Sequence, residues 1–346
     1  MRASPTVLVT GGTGFIGRHL VRQMLRNGEH VRLLCRSAHK AEALFGEAPE
    51  IVTGDIASGP ALAAACQGIQ SVYHIAGLYE FGARHRSELW RVNVEGTRAV
   101  LSAARAAGVA RVVHCSTAGI LSAPGRLIHE EDLPGHPPAG CGYKISKWNA
   151  ERLALEAAES GMDVVIASPT APIGSGDERP TPTGRMILDL MRDRFPGCSR
   201  TGLNLVAVDD VATGLLAVGR SGIRGRRYIL GHENLWLEEF LRRAARHIGC
   251  RAPRAWIPWP LVAAAGVAGD LAGLVTGNGD DRLCWETAYF ARQVQFFDLS
   301  RNPGSIGWQA IQDLDSAIAE GVGWFRWRDS SRAEAVPASG EHCISP

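Results

Sequence analysis

Tyr143 and Lys147 stand four residues apart in C-G-Y-K-I-S-K-W-N-A-E-R-L, at the start of a helical pattern, so both project from one helical face. A phenol with an ordinary pKa near ~10 is a poor acid or base at neutral pH. An ammonium one turn away favours the phenolate. Such a pair can move a proton on or off an oxygen atom. Upstream, Arg111 to Thr117 reads R-V-V-H-C-S-T, a strand that ends in two hydroxyl residues, Ser116 and Thr117. Thr117, at the strand end, would hydrogen-bond the same oxygen. Tyr and Lys at this spacing are common on exposed helices, so the chemistry depends on what the rest of the chain builds around them.

The stretch that must position them is Thr6 to Leu20, T-V-L-V-T-G-G-T-G-F-I-G-R-H-L. Val7, Leu8 and Val9 make a short apolar run suited to a buried parallel strand. Gly12, Gly14 and Gly17 fit G-x-G-x-x-G, and Gly11, Gly14 and Gly17 fit G-x-x-G-x-x-G. Phe15 and Ile16 then open a helical pattern. Strand, glycine turn and helix start make a site for a pyrophosphate: glycines admit the backbone close to it, and the helix end offers free N–H donors. The chain is therefore expected to bind a dinucleotide there.

His30 to Cys35 reads as a second strand ending in Arg36, with Lys40 one turn later. At that place an acid serves a free ribose 2′-hydroxyl and an Arg serves a 2′-phosphate, so NADP is favoured over NAD. Ile51 to Ile56, I-V-T-G-D-I, is a third strand whose Asp55, with Ile56 beside it, is placed to meet the adenine. Val72 to Gly77 is a fourth, and its small Ala76 and Gly77 let the chain pass close to the cofactor. Asn93 opens an alanine-rich helix that stops at Gly108. Repeated strand–helix units predict an α/β fold, a Rossmann-type doubly wound parallel sheet. With a nicotinamide cofactor in that sheet, its positive charge when oxidised adds to that of Lys147. Tyr143 would exchange a proton with a substrate oxygen while hydride passes at the adjacent carbon. Lys147 would also hold the nicotinamide ribose hydroxyls.

The 346 residues are 45% hydrophobic with a formal net charge of +2, an ordinary globular composition that makes no case for nucleic acid. Eight cysteines are scattered without metal-ligand spacing, which predicts reduced thiols, no metal and a cytoplasmic protein. The start of the chain runs directly into the first strand without an apolar signal segment.

These pieces together resemble the extended short-chain dehydrogenases/reductases, a family of sugar epimerases, dehydratases and carbonyl reductases. The matching segments are T-G-G-T-G-F-I-G, G-D-I, H-I-A-G, V-N-V-E-G-T, the S-T pair, Y-K-I-S-K and S-P-T-A-P-I-G-S-G-D. The resemblance implies catalytic Thr117, Tyr143 and Lys147, Asn93 supporting the lysine through water, and Pro169 opening the segment that packs on the nicotinamide. The family's hydroxyl residue is most often Ser, so Ser116 and Thr117 both stay open. In the second half, P-T-P-T-G-R, T-G-L-N-L-V and R-Y-I-L-G resemble the hopanoid-associated sugar epimerases, bacterial proteins tied to hopanoid side-chain synthesis. Dihydroflavonol reductases are similar too, and share the NADP-like Arg36 pattern.

Three readings follow from the resemblance. One is a sugar or polyol epimerase tied to hopanoids; the second is an NADPH-dependent ketone or aldehyde reductase; the third is a dinucleotide-binding regulator without turnover. The expected layout is a dinucleotide-binding domain over 1–177 and a substrate-binding part over 178–327, with late strands returning to the main sheet. A disordered tail is expected over 328–346. Arg179, Thr181, Thr183 and Arg185 are candidates to meet a sugar or phosphate. Residues 258–277 form the most apolar stretch, read as a buried or amphipathic helix or as a lipid-facing surface with weak membrane contact. His74 and His114 are expected to pack beside the sheet. The helices at 93–108 and 143–161 correspond to a pair that in this family often forms a dimer interface, which predicts a homodimer.

Overall fold

The structure is a computed structural model that describes residues 6–195, 197–276 and 284–334. Seven parallel strands form the main sheet: β1 (Val7–Thr10), β2 (Val31–Cys35), β3 (Glu50–Thr53), β4 (Ser71–His74), β5 (Arg111–Cys115), β6 (Val164–Pro169) and β9 (Arg227–Leu230). Their spatial order is β3-β2-β1-β4-β5-β6-β9. Strand order reverses between β1 and β4, and in such sheets the crevice beyond the carboxyl ends at that reversal is where ligands bind.

Strand periodicity explains the layers. Val7 and Val9 face one side with Leu33, and meet Leu20, Val21 and Met24 of the Phe15–Arg26 helix and Val211 and Leu215 of the Val208–Ser221 helix. Leu8 and Leu34 face the other side, against Val100 and Ala104 of the Gly96–Ala106 helix and Ala154 of the Gly142–Glu159 helix. Both faces are covered, as an all-parallel sheet requires.

A smaller sheet follows, with β7 (Ala171–Ile173) parallel to β8 (Gly202–Ala207) and β10 (Glu233–Trp236) antiparallel to β8. It carries its own core, in which Leu205, Ile187, Phe240, Ile318 and Phe325 are buried. The second half nevertheless sends elements back to the main sheet. β9 extends it, and the Val208–Ser221 helix is tied to the first helix by His19, whose ring nitrogens meet Asp209 Oδ1 at 2.7 Å and the Ser175 carbonyl at 2.9 Å.

Two expectations are corrected. The helix expected to open at Asn93 is already helical from Arg86, and Asn93 lies inside a π-helical turn, Trp90–Glu95. Gly96 follows, so close to Ile56 that a Cβ there would lie 2.5 Å from Ile56 Cδ1. The wide turn sets Asn93 in the buried interior, and π turns of this kind collect at functional sites. The last helix, Leu314–Glu334, runs six residues past the expected onset of disorder at 328. Arg328 is buried and lays its guanidinium over Phe325, 4.9 Å from the ring centre, so this polar segment is held to the core where the helix continues. The rest of the expected tail, 335–346, lies outside the described residues.

Candidate active site

The glycine turn is shaped by contacts that no side chain would survive. Gly11 has φ +73°, and a Cβ on it would lie 2.5 Å from the Ala76 nitrogen. A Cβ on Gly17 would lie 2.1 Å from the Gly11 carbonyl oxygen. The first helix thereby starts directly at the end of β1. Its N-cap residue, Gly14, offers no side-chain acceptor, which leaves the N–H groups of the first turn, including Phe15 and Ile16, free for an anion. Ala76 and Gly77 follow β4 on the far side of the turn. This cradle fits a dinucleotide pyrophosphate.

At the adenosine end, Arg36 is exposed just past β2, and Ser37 caps the next helix by accepting from Lys40 N–H at 3.2 Å. Lys40 and Arg18 both bind Glu178, at 2.5 and 3.1 Å, so Lys40 is not a free cation beside Arg36. Asp55 accepts from Ala57 N–H at 2.9 Å and stays partly exposed, while Ile56 is buried beneath it.

Ser116 and Thr117 fall just beyond β5, at the carboxyl edge. Their hydroxyls differ. The Thr117 hydroxyl is hydrogen-bonded to the Tyr143 phenol and accepts from Gly119 N–H at 3.1 Å. Ser116 Oγ is buried without a partner among the described residues. Tyr143 sits at the first turn of the Gly142–Glu159 helix, and burial pushes its phenol well above the ordinary value, against the opposing effect of Thr117. Burial thus opposes the phenolate expected from the sequence, the form that the ammonium one turn away and an oxidised nicotinamide would favour.

Lys147 is buried, donates to the Cys115 carbonyl at 2.7 Å, and has its pKa lowered by burial. Asn93 spends its amide on Leu78, accepting from its N–H at 2.7 Å and donating to its carbonyl at 3.0 Å, and also donates to Ser146 Oγ at 2.9 Å. Gly77 lies against both: a Cβ there would be 3.4 Å from Asn93 Oδ1 and 3.9 Å from Lys147 Nζ. Pro169 closes β6, buried, one strand further along. Thr117, Tyr143, Lys147, Asn93 and Gly77 thus gather at one end of the sheet.

Beneath Lys147, His74 bridges the hydroxyls of Thr10 (2.8 Å) and Thr97 (2.9 Å), and burial lowers its pKa to about 3. His114 lies 5.5 Å from it, ring to ring, with neither nitrogen bonded among the described residues. Both pack beside the sheet.

The second half supplies groups that carry no local sequence signal. Glu286 is buried, and its carboxylate accepts from Gly142 N–H at 2.9 Å and Gly82 N–H at 3.1 Å. It caps the helix that bears Tyr143, whose own N-cap, Cys141, provides no side-chain acceptor. Lys144 is buried on the Phe290 ring at 4.4 Å, bonds the Gln293 side chain, and has its pKa pushed down to about 8 by desolvation. Gln295 donates to the Gly119 carbonyl at 3.1 Å. Tyr79 stacks face to face on Tyr143, with centroids 3.9 Å apart, and Phe81, Tyr289 and Phe290 join the same apolar cluster. Of the polar residues expected to meet a sugar or phosphate, Thr181 caps the Pro182–Met191 helix and bonds Asp177, and Thr183 is buried; Arg179 is exposed.

The NAD dependent epimerase/dehydratase family model matches residues 7–231. A putative dihydroflavonol 4-reductase of Synechocystis sp. is 37% identical over 327 residues, covering 92% of this chain and 94% of that protein. Sterol demethylase protein B of Methylococcus capsulatus is 33% identical over 326 residues, covering 93% and 99%. The crystal structure of a nucleoside-diphosphate-sugar epimerase from Pseudomonas aeruginosa shares the fold, with a TM-score of 0.77 over 94% of this chain and 99% of that one at 24% identity.

Proposed function

The chain belongs to the NAD-dependent epimerase/dehydratase family, an extended short-chain dehydrogenase/reductase, and we propose that it is an NADPH-dependent reductase of a ketone or aldehyde on an apolar substrate. One observation carries this reading. The Tyr143 phenol stands between the Thr117 hydroxyl and an aromatic wall headed by Tyr79, where burial favours its protonated form. A protonated phenol is the form that gives a proton to a carbonyl oxygen as it is reduced. The wall offers little that would hold a charged sugar nucleotide.

In this reading, the glycine turn and Ala76 and Gly77 hold the pyrophosphate and nicotinamide side of the cofactor. Arg36 meets the 2′-phosphate and Asp55 the adenine. A nicotinamide cofactor, when bound there, would supply the hydride that the carbonyl carbon takes up. Thr117 and Tyr143 hydrogen-bond the carbonyl oxygen, and as the carbon–oxygen double bond becomes single, Tyr143 passes its proton to that oxygen. The phenolate left behind is stabilised by Lys147 until solvent returns the proton. Asn93 holds the Leu78 turn beside Lys147. A polycyclic lipid carbonyl, as in hopanoid side-chain synthesis, suits the apolar wall, and the sterol-associated relative supports that class.

The sugar epimerase reading uses the same residues, and the family name favours it. Cofactor exchange separates the two. Freshly purified protein that binds NADPH more tightly than NADH, with the preference falling about 10–100-fold in Arg36→Ala, supports the reductase. NAD retained through dialysis at one per chain would overturn it in favour of the epimerase. Turnover of NADPH with a panel of steroid and isoprenoid ketones should fall about 10²–10⁴-fold in Tyr143→Phe. We also infer a homodimer through the Gly96–Ala106 and Gly142–Glu159 helices; a monomeric mass in solution would refute it.

A further inference from the structure

The Trp259–Thr276 helix contains one charged residue, Asp270, and that residue faces inward, accepting from Trp285 N–H at 2.9 Å. Gly266 seats the same side of the helix on the next one, since a Cβ there would lie 2.8 Å from the Cys284 carbonyl. The opposite side is open. Leu261, Val267, Leu271 and Val275 are 63, 45, 58 and 88% exposed. Solvent-facing sides of helices ordinarily carry charge. This one presents an uncharged apolar stripe over about 21 Å at the usual rise of an α-helix.

The surface beside its N-terminal end has a different character. Trp256 is 60% exposed, and the charged residues of the adjoining segments 251–258 and 291–295 are all arginine: Arg251, Arg254 and Arg292. Arg292 stands over the Trp259 ring at 5.1 Å. Tryptophan and arginine bordering an apolar helix face match a bilayer boundary, where indole rings settle among headgroups and cations meet anionic phosphates. A second copy of the chain fits worse. A two-fold interface would set this arginine-bordered face against itself.

We propose that the Trp259–Thr276 helix docks the protein on an anionic phospholipid surface, lying in the plane of the membrane without crossing it. No helix among the described residues is long and apolar enough to span one. The docked face lies one helix away from the chemistry. Trp259 Nε1 donates to the Ala288 carbonyl at 3.2 Å, and the Trp285–Phe290 helix places Glu286, Tyr289 and Phe290 beside the Tyr143 cluster. Docking would therefore bring the aromatic cluster around Tyr143 within one helix of the bilayer. The inference deepens the reading of an apolar substrate, but its test does not depend on turnover.

The full chain is floated with phosphatidylcholine vesicles and with vesicles that also contain phosphatidylglycerol. It should rise with the anionic vesicles, more weakly at high salt, and little with the neutral ones. Leu261→Glu and Leu271→Glu should each lower binding at least about tenfold, because an anionic group replaces an exposed leucine that docking would bury in the bilayer. Leu127→Glu, at a leucine 45% exposed elsewhere on the surface, should leave it unchanged. Retained NADPH binding shows that the variants are folded. No flotation of the wild type, or flotation indifferent to Leu261→Glu and Leu271→Glu, overturns the proposal. Conversion of a dimer to a monomer by Leu271→Glu would assign the face to a second copy instead, and also overturns it. Flotation without NADPH-dependent ketone reduction would leave the docking intact and remove the reductase reading.

Discussion

The two ends of the crevice are built by different means. At the nucleotide end the site is backbone: a turn with no room for a Cβ at Gly11 or Gly17, and helix N–H groups left without a cap. At the substrate end it is side chains brought from far away. Glu286 reaches Gly142 across 144 positions, Gln293 reaches Lys144 across 149, and Gln295 reaches Gly119 across 176. A backbone site tolerates no change at its few positions and writes them into a short motif. A side-chain site can be re-made residue by residue, which is how one fold comes to serve different substrates.

The sharpest break of that comparison is Gly17→Ala. The added methyl meets the Gly11 carbonyl, and relief requires the turn itself to move, at a local cost of about 3 kcal/mol or more. NADPH binding should weaken about 100-fold or beyond. Fluorescence titration of the nucleotide measures this, and unchanged affinity would mean that the turn does not hold the pyrophosphate.

Glu286→Ala tests the other end. It strands the buried N–H groups of Gly142 and Gly82, at about 1–3 kcal/mol for each. Because the cradle is not touched, NADPH affinity should stay within about twofold. Turnover should fall about tenfold or more, as Tyr143 loses the cap of its helix. Glu286→Gln keeps one acceptor oxygen and should recover part of the loss. If nucleotide affinity and turnover fall together, the two ends are not separable as argued.

This difference also decides what could be read from sequence. The glycine turn, the Ser116-Thr117 strand end and the Tyr143–Lys147 pair are local, and the structure places them at one crevice. That the Thr117 hydroxyl, and not that of Ser116, meets the phenol depends on where the phenol stands, because both hydroxyls lie at the same strand end. Tyr79 stands two positions past the expected Gly77, in a loop where nothing in the spacing distinguishes it. Glu286 lies in W-E-T-A-Y-F, one more charged residue on a short helix, until the fold brings it under Gly142. The exposed side of the Trp259–Thr276 helix was equally hidden. Its apolar composition was plain, but which side faces outward depends on where Asp270 and Gly266 find partners.

The smallest expected effect lies under both ends, in the histidine pair. His74 and His114 are held neutral by burial, His74 with a pKa of about 3 against an unfolded value near 6.5. Between those values the unfolded chain binds protons that the fold does not, so stability is full above about pH 6.5 and declines as pH falls toward 3. Each histidine contributes a slope of up to about 1.4 kcal/mol per pH unit. Asp177, raised to about 6, acts with the opposite sign between its unfolded and folded values, but equally in wild type and variant. His114 has no partner for either nitrogen among the described residues, whereas His74 has two. His114→Leu should therefore gain about 1 kcal/mol at pH 7, by replacing an unsatisfied polar ring with an apolar side chain. Urea unfolding over a pH series should show the variant losing stability less steeply than wild type below pH 6, by one proton's share. An unchanged slope would mean that His114 is charged in the fold, so that the charge lies directly beneath Lys147 and the phenol argument has to be redrawn.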